Sequence, residues 1–204
     1  MLLATGARAL AICGRWEEAR SRLASHRGIG RRMLDGRQVA VIARLIEHDT
    51  NAALTLLHDT LPGEPAENAV TACLTLMSQG HGADPTTQLS HFRELDLDAT
   101  GMTVFHTRLA LSFIDALDPT GPAARSLTTE LITRTLDHPD GYTSRDLLAH
   151  PGCSGLLTYS QYRTLKQQVD VCGLDTQTLP RQLHRELDTA LDTADRVIQA
   201  RHAA

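Results

Sequence analysis

The sequence predicts an all-α protein made of stacked antiparallel helix pairs. Apolar residues recur at helical spacing along most of the chain, and no stretch sustains the alternation of a half-buried strand, so essentially no β-sheet is expected. Aromatic residues are only 3% of the chain, which leaves Leu, Ala, Ile and Val to fill the core and favours close-packed helices. Turn signals then cut the apolar pattern into helix-sized pieces.

The first pair is Leu2 to Cys13 and Ala19 to Ala24, joined by Gly14-Arg15-Trp16-Glu17-Glu18. Glycine allows the turn, Trp16 is expected to fill the wedge where the helices diverge, and Ala19 lets them approach. The second pair is Asp35 to Glu47 and Asn51 to Leu61, broken at His48-Asp49-Thr50 and ended by Pro62-Gly63-Glu64-Pro65. Ala66 to Gln79 opens a third pair. Its turn is Gly80-His81-Gly82-Ala83, and Asp84-Pro85 is a good helix start. Gly101 to Leu117 and Ala123 to Leu136 form a fourth, separated by Asp118-Pro119-Thr120-Gly121-Pro122. After the turn at Asp137 to Gly141 come Ser144 to Ala149 and Tyr159 to Val171, with His150 to Gly155 irregular between them. The last helix, Pro180 to about Arg201, carries Leu183, Leu187, Leu191, Ala194 and Ile198 on one stripe, as a capping helix would.

The first two pairs share a register. Gly14 to His48, Ala19 to Ala53, Leu23 to Leu57 and Ala9 to Ala43 are separated by one and the same interval, and Gly82 lies that interval beyond His48. With the Gly-x-Trp turn, this resembles the tetratricopeptide repeat (TPR), whose period of about 34 residues is the interval found here. The likeness is good over residues 1–60, fair to about 95 and architectural after that. Thr87 stands where the packing alanine belongs and His91 where the leucine does. The expected organisation is a TPR-like α-solenoid over 1–137 and a C-terminal helical cap over 138–204, forming one structural unit.

The resemblance implies a binding scaffold without chemistry of its own, in which the first helix of each pair lines a concave groove. The groove-facing positions are Ala4, Arg8, Ala11 and Ile12, then Gln38, Ile42, Leu45 and Ile46, then Ala72, Leu76 and Gln79. This set is apolar for a solvent-lined surface. Either it holds a hydrophobic peptide or partner helix, or the superhelix is collapsed and these residues are core.

Composition narrows the alternatives. One lysine against nineteen arginines reflects a GC-rich genome. Residues 1–60 hold nine arginines against six acids, and 61–204 hold eleven basic residues against eighteen acids. The acidic body argues against nucleic-acid binding. The four cysteines are scattered, no secretory signal opens the chain and no apolar run reaches spanning length, so a reducing cytoplasm and no membrane are expected. Met1 leads almost directly into an apolar helix without a cap. That start fits a fragment of a longer protein, a missing upstream segment, or an end buried in a homodimer.

No chemistry stands out. Ten histidines form no HxxxH, HExxH or ExxH, and His48-Asp49 and His58-Asp59 read as turn or capping residues. Gly152-Cys153-Ser154-Gly155 is too short for a nucleophile elbow, and no phosphate loop or dinucleotide fingerprint occurs. No catalytic residue, metal or cofactor is expected. Arg27, Arg31 and Arg32 form the one dense basic segment, either an anion site or a solvated loop. Three functions of different class follow: a protein- or peptide-binding scaffold, the sensor domain of a transcriptional regulator, and a small-molecule enzyme in a helical bundle.

Overall fold

The computed structural model describes residues 2–97, 99, 101–174 and 181–202, with side chains from 6 to 199. Among the described residues the fold is all helical, with twelve helices and no strand. The chain divides into two compact units, Met1–Ile132 and Thr133–Ala204.

The first unit begins with three helix pairs: α1 Leu2–Ile12 with α2 Trp16–Ser25, α3 Asp35–Ile46 with α4 Thr50–His58, and α5 Pro65–Gln79 with α6 Thr86–Arg93. α7 Thr103–Ala116 and α8 Pro122–Asp137 follow, and α8 runs across the division between the units. Within each of the first three pairs the two helices pack together. The first helices also touch in succession, α1 on α3, α3 on α5 and α5 on α7.

The turns at Gly14 and His48 are the same structure. Both residues have positive φ, 73° and 60°. The Arg15 N–H reaches back to the Leu10 carbonyl and the Asp49 N–H to the Arg44 carbonyl, each at 2.9 Å. Gly14 donates to Ala11 at 2.9 Å and His48 to Leu45 at 3.1 Å. These are paired Schellman bonds, which satisfy the carbonyls a helix end leaves open. Ala19 and Ala53 are both fully buried just beyond their turns.

Two apolar clusters follow from this register. Ala7, Leu10, Ala19, Leu23 and Val39 form one, and Trp16 packs on it half-buried rather than enclosed. Met33, Val41, Ala53, Leu57 and Leu74 form the other, so residues one period apart play the same part in successive clusters. Each enclosed leucine contributes roughly 1.5–3 kcal/mol.

The third pair is out of step. Three residues join the helices of the first pair and three those of the second, but Gly80 to Pro85 join those of the third. Gly80, at φ 76°, is the residue that ends α5, two short of the periodic position at Gly82. α6 therefore starts two positions later than the period would place it, and Leu89 and Phe92 take the buried places while Thr87 is exposed. Phe92 meets Phe113 of α7 with ring centroids 5.6 Å apart.

In the second unit α9 Gly141–Ala149 packs on α10 Pro151–Ser154 and on α11 Tyr159–Val171. The segment expected to be irregular is thus partly the short helix α10. Asp140 caps α9 by accepting from the Thr143 N–H at 2.9 Å, and Thr158 with Gln161 forms a capping box on α11. Leu147, Cys153, Leu165 and Val169 fill the core of this unit. α12 Arg181–His202 is the long amphipathic helix the sequence describes, but Leu183, Leu187, Leu191 and Ile198 on its stripe are all exposed. The stripe assigned to a cap is not buried.

Candidate functional site

The structure distributes the groove residues unevenly. Arg8 is exposed on α1 and its guanidinium donates to the Asp35 carboxylate at 2.8 Å. Gln38 is half-buried, its amide donating to the Met33 carbonyl at 3.3 Å. Ile42 and Leu45 are half-buried against the second cluster. Leu76 is only 1% exposed and belongs to the core, and Ala72 is buried on α5. Gln79 is exposed at the end of α5. The side chain of Ala4 lies outside the described residues. Among the large apolar residues that the first helices leave open are a pair at matching positions, Ile12, 86% exposed, and Ile46, 51% exposed, and Met77 of α5.

The arginine segment is largely engaged within the chain. The Arg32 fork grips Glu67, with Nε at 3.0 Å from the carboxylate, and this hydrogen bond holds the guanidinium above its ordinary pKa. Arg31 donates from Nε to the Asp59 carbonyl at 3.3 Å, and its own carbonyl accepts from the Leu61 N–H at 2.8 Å. Arg27 is exposed at a positive φ of 55°.

Arg37, which no sequence motif marks, is the buried arginine of this region. It donates to the Gly30 carbonyl at 3.3 Å, to Thr60 Oγ1 at 3.2 Å and to the Leu56 carbonyl at 2.5 Å. It thereby ties the loop before α3 to the last turn of α4, whose carbonyls carry the negative end of the helix dipole. Burial lowers its pKa, while Asp59 nearby acts in the other direction. Beside it, a Cβ on Gly36 would lie 2.0 Å from the Gly28 carbonyl oxygen, so α3 and the preceding loop meet backbone to backbone. The sequence offered one signal for this, a Gly-Arg dipeptide opening an apolar helix.

The remaining polar candidates are structural. Asp49 caps α4, accepting from the Ala52 N–H at 3.1 Å, and His58 is exposed beside Asp59. Cys153 is enclosed, and burial pushes the Cys73 thiol up to about 12, far from a thiolate at neutral pH. Among the described residues no three His, Cys, Asp or Glu side chains are placed to hold a metal ion.

One cleft of about 300 Å³ opens in the first unit. Asn68, Thr71, Ala72 and Thr75 of α5 form its floor, Thr60 to Pro62 after α4 its near edge, and Thr87, Gln88 and His91 of α6 its far wall. Its lining holds no Asp, Glu, Lys or Arg. The long third turn carries the wall residues away from the alanine and leucine register, which is why no repeat pattern marks them.

No protein-family model, curated protein or solved structure matches this chain. Among the described residues no helix is long and apolar enough to cross a membrane.

Proposed function

We propose that the chain is a non-catalytic, TPR-like helical-repeat scaffold that binds a peptide or protein segment along its first helices. The observation that carries this reading is the duplicated turn: the same pair of backbone hydrogen bonds, left-handed residue and buried alanine recur one period later in the chain. Such duplication stacks one supersecondary unit on the next, and stacked units present an extended surface. The succession α1, α3, α5, α7 supplies that surface. Arg8, Ile12, Ile46 and Gln79 are its exposed members, apolar contact flanked by polar groups. Gln38, Ile42, Leu45 and Leu76 support it from beneath.

A random peptide library selected against the immobilised chain tests the proposal. Enriched peptides should share an apolar anchor and lose at least about tenfold in affinity on Ile46→Glu. Because Ile46 is exposed, that variant keeps the parental melting temperature. No enrichment, or enriched peptides indifferent to Ile46→Glu and Ile12→Glu, would end this reading.

A further inference from the structure

We propose that the cleft between the end of α4 and α6, floored by α5, is a separate binding site for amide N–H groups, its natural occupant the main chain of an extended peptide segment. The proposal does not depend on the face formed by the first helices. It rests on how the cleft's hydrogen-bonding capacity is already spent. Thr71 donates its hydroxyl proton to the Glu67 carbonyl and Thr75 to the Thr71 carbonyl, each at 2.8 Å. Their oxygens are left as acceptors on the floor. In the wall, Gln88 Oε1 and His91 Nδ1 are buried without a hydrogen-bond partner. The carboxylate nearest His91 Nδ1, that of Glu94, stands 3.6 Å away and outside the cleft lining, beyond hydrogen-bonding distance. A neutral imidazole with its proton on Nε2 offers a lone pair at Nδ1, so it is a further acceptor. Unpaired buried acceptors are costly, and a ligand that brings donors removes that cost.

The occupant therefore donates. No carboxylate lines the cleft, so nothing there compensates the desolvation of an ammonium or guanidinium. Neutral N–H groups remain. A peptide unit fits better than a lone donor, because the hydroxyl of Thr87, exposed at the rim, can donate to the carbonyl that accompanies each N–H. At about 300 Å³ the cleft is at the small end of ligand sites, the scale of a short peptide stretch with small side chains. The wall acceptors are reached by rotation of the Gln88 and His91 side chains, Gln88 giving up its 3.5 Å hydrogen bond to Gln79.

The test is a titration of the full ¹⁵N-labelled chain followed by backbone and side-chain amide shifts. Three probes are used: N-acetyl-triglycine amide, its fully N-methylated analogue, and acetamide. The triglycine should shift the Thr71, Thr75 and Gln88 signals and saturate. The N-methylated analogue, with the same main chain and no N–H, should not. Thr75→Val, which removes an acceptor at nearly constant volume, should weaken triglycine binding roughly 3- to 10-fold, and Gln88→Met should do the same. Both variants should melt like the parent, and Ile46→Glu should leave this titration unchanged whatever it does to the first-helix face. Saturation by acetamide but not by triglycine would overturn the peptide assignment in favour of a free carboxamide. Equal response to the N-methylated analogue, or no response to any probe, would overturn the site altogether.

Discussion

The turn at His48 repeats the turn at Gly14 bond for bond, whereas the turn at Gly80 does not repeat either. Between the first two, the side chain at the left-handed position changes from none to imidazole, and the hydrogen bonds survive. At the third, a glycine stands on the periodic position and the backbone ignores it. The lengths of the connections explain the contrast. Two connections of equal length hold the register, and a connection three residues longer moves α6 two residues out of it. Repetition in this chain is a property of backbone geometry at the turns, and side-chain identity follows it loosely.

The comparison is broken most severely by removing what locks the second pair to the first. Gly36→Ala would set a methyl against the Gly28 carbonyl, a contact that only backbone movement relieves. A loss of about 3 kcal/mol or more is expected by chemical denaturation, because overpacking against backbone relaxes poorly. A change within about 0.5 kcal/mol would mean that the loop and α3 are not held together as described. Arg37→Met comes next. It leaves the Gly30 carbonyl and Thr60 Oγ1 without the guanidinium donor and the Leu56 carbonyl with the Thr60 hydroxyl alone, at a cost of about 2 kcal/mol. Stability equal to the parent would show that water or an apolar contact replaces the guanidinium fully.

The equivalence of the first two turns can be tested by exchange. Replacing His48 by glycine should stabilise the chain by about 1 kcal/mol, since imidazole there bears the left-handed penalty and glycine does not. Gly14→His should lose a similar amount. If both substitutions were neutral, the shared φ would not be what the turns have in common.

How far the sequence could be read depends on the same contrast. Most helix positions were legible to within about three residues, because proline, glycine and Asx signals sit at many boundaries; α2 starts at Trp16 rather than Ala19, and α4 ends at His58 rather than Leu61. Packing was legible where the period held, at Ala19 with Ala53 and Leu23 with Leu57. It failed at Thr87 and His91, since counting by a fixed period assumes equal connections and the third is longer. Register alone places Leu76 on the groove side, whereas burial is set by the neighbours α5 acquires. Arg37 was hidden because an arginine at the start of a helix is usually solvated, and only the fold reveals the carbonyls around it. The cleft is legible in no motif, as threonine and glutamine are ordinary surface residues until two helices set them opposite each other. The stripe of α12 was read correctly as a face, but a periodic pattern does not say what covers the face.

The smallest effect concerns a second echo of the period. Asp84-Pro85-Thr86 and Asp118-Pro119-Thr120 are separated by the same interval as Gly14 and His48, although α6 and α8 themselves begin at Thr86 and Pro122, a longer interval. Asp84 accepts from the Thr86 N–H at 3.0 Å and its hydroxyl at 2.6 Å, and Asp118 accepts from the Thr120 N–H at 2.9 Å and its hydroxyl at 2.8 Å. These hydrogen bonds hold both carboxyls below the usual aspartate range, the Thr86 hydroxyl contributing most at Asp84 and the Thr120 N–H most at Asp118. A depressed native pKa means that the linked stability is present above the unfolded value and is lost as pH falls through the native one. Both carboxyls are exposed, so the effect on global stability is slight, and the informative measurement is the carboxyl titration itself by ¹³C NMR. Both midpoints should lie below that of an ordinary aspartate. They should also respond differently to His81→Ala, because the His81 charge lowers the pKa of Asp118, whereas no such influence acts on Asp84. The variant should therefore raise the Asp118 midpoint and leave that of Asp84 where it was. Movement of both, or of neither, would show that His81 does not distinguish the two turns as described.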